Sequence, residues 1–116
     1  MSKSEPNWVK SETQKNFDFE LGNLIMEKRL EMKLKRSDII NELNYLKEGC
    51  TIPSIDYYGR VERGEKSISL FKFLVIIDIL NNKIKEYNIK NDMRIQEIKL
   101  EQCLKLIRGN NNEYNK

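Results

Sequence analysis

Few side chains in this sequence have the type and spacing that catalysis or metal binding requires. The 116 residues contain no histidine, the commonest general base and metal ligand near neutral pH. Cys50 and Cys103 lie far apart with no motif around them, which predicts isolated thiols rather than a zinc site or a disulfide. Glu27 and Glu31 have the spacing of a solvated helix face, and we see no glycine-rich phosphate loop or nucleophile motif. The residues therefore predict a protein that is not an enzyme and holds no metal or cofactor.

The composition is typical of a globular chain with a modest apolar core. Apolar residues make up 39% of the sequence and charged residues 34%. The longest apolar run, within residues 71–80, is interrupted by Lys72 and Asp78, so we expect no membrane-spanning segment and no membrane partner. Residues 1–15 lack a hydrophobic stretch, so we expect no secretory signal and a cytoplasmic location.

The charge balance is slightly basic. The net charge is +3, from 21 basic and 18 acidic residues, which gives weak support to a polyanionic partner. Basic and acidic residues are equal in number within residues 34–66. A neutral segment of this kind presents a basic surface only if its acidic side chains point elsewhere.

The periodicity of the apolar residues indicates helices and no strand of useful length. Ser54 and Ser69 have the residue type and position of N-caps, and Gly64 that of a helix stop. A buried stripe is predicted along the fourth helix at Leu70, Phe73, Leu74, Ile77 and Leu80. The predicted helices cover residues 17–33, 36–47, 55–63, 70–81 and 82–108.

Short motifs in residues 21–81 occur in the order typical of one family. They are Leu21-Gly22 with Ile25 and Arg29, then Leu34 with Ile39, then Val61-Glu62-Arg63-Gly64, and finally Ser69, Leu70, Phe73 and Leu80. In this order the segment resembles the Cro/phage-repressor (XRE-type) helix-turn-helix DNA-binding family. The resemblance implies an all-α fold, a lambda-repressor-like helix-turn-helix bundle, to which this chain adds a long C-terminal helix.

The resemblance also implies a structural ion pair between Arg29 and Glu62. Such a pair would hold the third helix against the first, because a planar guanidinium binds a carboxylate through two parallel hydrogen bonds. The alternative is that both are ordinary solvated charges on helix faces.

In this family the third helix enters the major groove with its N-terminal residues at the base edges. The candidates for base contacts are Ile55, Asp56, Tyr57 and Arg60. Asp56 has an equally plain interpretation as a first-turn acid that stabilises the helix dipole, and Ile55 as a packing residue. The candidates for phosphate contacts are Lys35, Arg36, Ser54, Arg63, Lys66 and Lys72. For any single lysine the alternative is a solubilising surface charge.

Three features depart from the family pattern. The link between the second and third helices, residues 44–53, is longer than usual, and Ile40 stands where the family favours a small alanine. Gly59 lies in the middle of the third helix, where glycine costs about 1 kcal/mol relative to alanine. We interpret Gly59 as a site of close approach, either to the first helix or to DNA.

The predicted C-terminal helix has two apolar sides. A heptad-like seam predicts dimerisation through Ile89, Met93, Gln96, Leu100, Cys103 and Ile107. A second side contains Ile84, Tyr87, Ile95 and Ile98. The alternative to dimerisation is that the helix folds back and completes the core. The predicted organisation is a flexible arm with Trp8 (1–15), a helix-turn-helix domain (16–81), the C-terminal helix (82–108) and a disordered tail (109–116).

Together these features favour a repressor-like, sequence-specific DNA-binding regulator of transcription from a bacterium or a mobile element such as a phage or plasmid. Its expected partner is double-stranded DNA, bound as a homodimer, with no small-molecule substrate. The alternative function is a helix-turn-helix protein–protein adaptor, of the antitoxin or anti-repressor type, that does not bind DNA by itself.

Overall fold

The chain folds into helices, as the sequence predicts. The computed structural model describes residues 10–46 and 54–107, and it contains no strand within them. The helices are α1 (Glu12–Glu31), α2 (Arg36–Leu46), α3 (Ile55–Glu62), α4 (Leu70–Asn91) and α5 (Leu100–Ile107). The predictions for Trp8, for Cys50 with most of the link, and for the tail lie outside the described residues.

Serine caps begin three of the helices. In each cap the serine hydroxyl accepts a hydrogen bond from the backbone N–H three residues later, which satisfies one of the free donors at a helix start. Ser54 and Ser69 cap α3 and α4 as predicted. Ser11 caps α1, so residues 12–15, which the sequence analysis assigned to a flexible arm, are helical. The error arises because these residues are polar on every side and lack an apolar period.

One apolar core joins the helices. α1 packs against α3, α4 and α5, and α2 packs against α3 and α4. The fully buried side chains of this core include Ile25, Ile39, Leu43, Tyr58, Ile76, Leu80 and Ile84. Ile40, the residue that replaces the family's alanine, is buried as well. No helix in the described part of the chain is long and apolar enough to cross a membrane.

The predicted buried stripe of α4 is only partly correct. Phe73, Ile77 and Leu80 are buried, but Leu70 is 70% exposed and Leu74 is exposed as well. These two leucines line a groove beside α5 instead of entering the core. A stripe drawn from spacing alone does not show which neighbouring helix covers each turn.

The prediction of a single helix over 82–108 is wrong. α4 continues through Asn81 and Asn82 to Asn91, and residues 93–99 are not helical. Asp92 ends α4 in the left-handed conformation, with φ 53°, and the N–H of Met93 bonds to the carbonyl of Asn88. The break therefore lies ten residues later than the predicted one.

Two asparagine side chains hold the non-helical segment 93–99 against α4. Asn81 Nδ2 donates to the Ile98 carbonyl at 2.9 Å, and the Ile98 N–H donates to Asn81 Oδ1 at 2.7 Å. Asn88 makes the same pair of bonds with the backbone of Ile95, both at 3.0 Å. A side-chain amide carries both a donor and an acceptor, so each asparagine satisfies the N–H and the carbonyl of one residue. These contacts replace the helical bonds that the segment lacks.

The predicted dimerisation seam does not exist as one helical face. Ile89 lies on α4, and Met93 and Gln96 lie in the non-helical segment 93–99. The other three residues, Leu100, Cys103 and Ile107, lie on α5. Cys103 is only 4% exposed and faces the core, whereas Leu100 and Ile107 are exposed. The other apolar set, Ile84, Tyr87, Ile95 and Ile98, is buried or half-buried in the core. The segment thus folds back, as the alternative interpretation states, through a bend rather than as one helix.

Candidate nucleic-acid interface

The centre of the candidate site is the carboxylate of Glu62 at the end of α3. Arg29 on α1 binds it through two hydrogen bonds, Nε to Oε2 at 2.8 Å and Nη2 to Oε1 at 2.9 Å. The remaining Nη1 of Arg29 donates to the Leu34 carbonyl at 2.9 Å. Both charged side chains are buried, and the bonds to Glu62 raise the pKa of Arg29 against the effect of its burial. The contact implied by the family resemblance is therefore present, with geometry that suits a buried pair.

A second arginine shares this carboxylate. Arg36, the first residue of α2, donates from Nε to Glu62 Oε1 at 3.0 Å. Its side chain is 33% exposed, so part of the guanidinium reaches the surface. Glu62 thus connects α1, α2 and α3 through a single carboxylate. The sequence analysis assigned Arg36 to phosphate contact alone and missed this bond.

Tyr58 lies inside the site, next to this network. Its ring is fully buried. Burial, followed by the negative charge of Glu62, raises the pKa of the Tyr58 hydroxyl far above its ordinary value. Tyr58 is therefore neutral at every working pH and acts in packing.

Two glycines permit the close approach of α1 and α3. A Cβ on Gly22 would collide with the backbone carbonyls of Val61 and Glu62. Gly64 follows α3 with φ 81°, and a Cβ there would lie 2.6 Å from Phe19 Cα. Only glycine meets both the steric and the conformational demand at Gly64. These contacts set the end of α3 directly against α1.

The N-terminal half of α3 presents an exposed face. Ile55 is 51% exposed, and the side chains of Asp56 and Arg60 are also exposed. Arg60 Nε lies 3.3 Å from Asp56 Oδ2, one helical turn away. Tyr57 is half-buried and packs against the core. Three of the four base-contact candidates therefore share the open face.

Gly59 lies between two guanidinium groups. A Cβ built on Gly59 would lie 3.2 Å from Nη1 of Arg36 and 3.2 Å from Nη1 of Arg63. We call Gly59 with these two guanidinium groups the arginine cradle. Arg63 also donates from Nε to Glu65 Oε2 at 3.0 Å, and this bond raises the pKa of Arg63. The close approach expected at Gly59 is made by arginine side chains.

The other phosphate candidates are spread over the surface. Lys35 and Lys66 are exposed, and Asp38 Oδ2 accepts a hydrogen bond from the backbone N–H of Lys35 at 2.7 Å, at the start of α2. Ser54 is exposed, with its hydroxyl oxygen engaged as the cap of α3. Lys66 lines the groove beside α5, and Lys72 is half-buried in the first turn of α4. Among the candidates, only Arg36 and Arg63 converge on one point.

A polar cluster around Asp18 was missed in the sequence. Asp18 is buried and accepts hydrogen bonds from Lys10 Nζ, from Ser67 Oγ at 2.6 Å and from Gln14 Nε2 at 3.0 Å. Burial alone would raise the pKa of Asp18, but these three donors hold it below its ordinary value. Ser67 lies 49 residues from Asp18 in the sequence, so residue spacing does not indicate this contact. Within the described residues, no group of His, Cys, Asp and Glu side chains has the grouping of a metal site.

The chain matches no model of a known protein family, and no curated protein or solved structure matches it either. The family resemblance therefore depends on the residues quoted above, and the function that it implies is a proposal.

Proposed function

We propose that this chain is a sequence-specific DNA-binding regulator of transcription, repressor-like in type. The single observation that carries the proposal is the exposed face of α3, which ends beside the arginine cradle. Such a helix presents side chains to base edges at one end and cations to phosphates at the other.

The buried ion pairs support the rigidity that reading a base sequence requires. Arg29 on α1 and Arg36 on α2 both bind Glu62 on α3. Removal of a buried partner leaves an unpaired charge, so this network resists rearrangement. The exposed face of α3 is consequently held in one orientation relative to α1 and α2.

Arg60 is the proposed reader of a base. Arginine recognises guanine through two parallel hydrogen bonds to O6 and N7. In the free protein Arg60 pairs with Asp56 on the surface, a type of contact worth about 0–1 kcal/mol. A base can therefore replace Asp56 as the partner of Arg60 at small cost. Ile55, exposed in the first turn of α3, is suited to contact a thymine methyl group.

The arginine cradle is the proposed phosphate contact. The Nε of Arg36 is engaged by Glu62, which leaves its terminal nitrogens to donate outward. Glu62 is buried and already neutralised by Arg29, so its charge is withdrawn from the exterior. This burial helps to reconcile the neutral composition of residues 34–66 with a locally basic surface.

The test is selection of bound sequences from a random DNA pool, followed by titration of the recovered site at low and high salt. We expect one enriched motif and an affinity that falls as salt rises, because phosphate contacts release counterions. A palindromic motif would support binding as a symmetric homodimer. No DNA binding even at low salt would remove the proposal.

The second candidate is the protein–protein adaptor. It is favoured by a specific observation, the apolar groove beside α5 that Leu70 and Leu74 line. It predicts no enrichment in the selection experiment and no binding of DNA at low salt. Homodimer formation stays a prediction under either function, and its test is the solution mass by light scattering.

A further inference from the structure

An apolar groove runs between α1, the start of α4 and α5. Its volume is about 550 Å³. Leu70 and Leu74 form one wall, Leu100 and Leu104 form another, and Phe17 lies on the α1 side. The four leucines are exposed, in contrast to the isolated apolar residues found on most protein surfaces. An occupant that covered this apolar surface would be stabilised by its removal from water.

The chain enters α1 from the wall of this groove. Lys10 Nζ pairs with Asp18 Oδ2, and Asp18 lines the groove together with Gln14 and Ser67. Lys10 directly precedes Ser11, the cap of α1. The Lys10–Asp18 pair therefore places Lys10, the residue that follows segment 1–9 in the sequence, beside the groove.

Residues 1–9 contain one large apolar side chain close to this point. Trp8 is the single tryptophan of the chain, and Val9 follows it. Two residues span at most about 7 Å when fully extended, so Trp8 starts within reach of the groove. Residues 108–116 also follow a groove residue, Ile107, but begin Arg-Gly-Asn-Asn-Asn and offer no apolar anchor nearby.

We propose that residues 1–9 dock in cis into this groove, with the indole of Trp8 as the anchor and the Lys10–Asp18 pair as the tether. A tryptophan buries roughly 150–250 Å² on docking, and its N–H normally finds a polar partner. The groove offers such partners in Gln14, Asp18 and Ser67 beside its leucines. No residue of the arginine cradle lines the groove, whereas Lys66, a phosphate-contact candidate, does.

Fluorescence of the full chain tests the docking directly, because Trp8 is its only indole. We expect a blue-shifted emission and acrylamide quenching several-fold weaker than that of free tryptophan. Leu104→Asp should abolish this protection, because it places a charge in the groove. Ile89→Asp is the matched control, since Ile89 is 85% exposed and does not line the groove. Circular dichroism of each variant establishes that the helices are retained.

Two further measurements separate the alternatives. Lys10→Gln should increase the quenching of Trp8 without disturbing the core, because it removes the tether alone. Light scattering over the same dilution series should show that protection does not depend on protein concentration. The proposal is overturned if Trp8 is quenched like free tryptophan, or if Leu104→Asp or Lys10→Gln leaves its quenching unchanged. It is also overturned if Trp8 is protected only in a dimer. The last result would assign the groove to a second copy of the chain.

Discussion

Glu62 accepts a hydrogen bond from Arg36 at 3.0 Å. The bond joins a fully buried carboxylate to a guanidinium that reaches the surface. This contact links the interior of the molecule to the surface proposed to meet DNA. It makes the position of a surface arginine depend on the same carboxylate that fastens α3 to α1.

Replacement of Glu62 by glutamine should destabilise the fold by about 3 kcal/mol, because Arg29 would then be a buried cation without a counter-charge. Urea unfolding followed by circular dichroism measures the change. Glu65→Gln is the matched control, since Glu65 is exposed and pairs only with Arg63. Equal stability of the two variants would show that the buried network contributes little.

Replacement of Arg60 by alanine should weaken binding to the selected site by about 1–3 kcal/mol and relax the preference at one base position. Its affinity for random DNA should change much less. Competition between the two DNAs gives both values. Arg94→Ala is the control, because Arg94 is an exposed arginine in segment 93–99, between α4 and α5, and does not belong to α3. A preserved site preference would exclude Arg60 from base reading.

Gly59→Ala separates helix stability from phosphate binding. Alanine favours a helix interior by about 1 kcal/mol over glycine, while its Cβ would press on the guanidinium groups of Arg36 and Arg63. We expect stability close to that of the wild type but weaker binding to all DNA sequences, with a smaller salt dependence. Thermal unfolding and salt titrations test the two effects. Unchanged affinity would mean that the arginine cradle does not contact phosphate.

Asn81→Ala should release segment 93–99 from α4, because the Asn81 side chain makes two hydrogen bonds to the backbone of Ile98. The free energy of unfolding should fall by about 1–3 kcal/mol, because the N–H and the carbonyl of Ile98 become unpaired. Faster amide hydrogen exchange at Ile98 would report the release. Asn82→Ala, an exposed neighbour on the same helix, should leave that exchange rate unchanged. Equal exchange in both variants would argue against the clamp.

Asp18 should make the fold sensitive to acid. The pKa of Asp18 is below the ordinary value of 3.8 in the folded state. The ionised carboxylate therefore stabilises the fold above pH 3.8, and this stabilisation is lost as the pH falls through the folded-state pKa. The stability difference between wild type and Asp18→Asn should therefore begin to shrink as the pH falls below about 5 and continue to shrink below 3.8. A difference that stays constant over this range would show that the ionised carboxylate is not what the three donors stabilise.

The C-terminal region shows where reasoning from spacing alone fails. Leu100, Cys103 and Ile107 have the spacing of a heptad seam, but Asp92 ends α4 and residues 93–99 are not helical. Ile84, Ile98 and Cys103 complete the core, so truncation after Asn81 would remove core residues. Asn81 and Asn88 bind the backbone of residues that lie 17 and 7 positions further along the chain, which spacing does not indicate.

The sequence by itself determined the local features: the all-helical class, the caps at Ser54 and Ser69, and the stop at Gly64. These depend on interactions within a few residues, which residue type and spacing record directly. Only the tertiary structure decided that Arg36 shares Glu62, that Asn81 holds Ile98 and that Asp18 joins Lys10 to Ser67. Each of these contacts joins elements distant in sequence, and their partners are chosen by how the helices pack rather than by local preference.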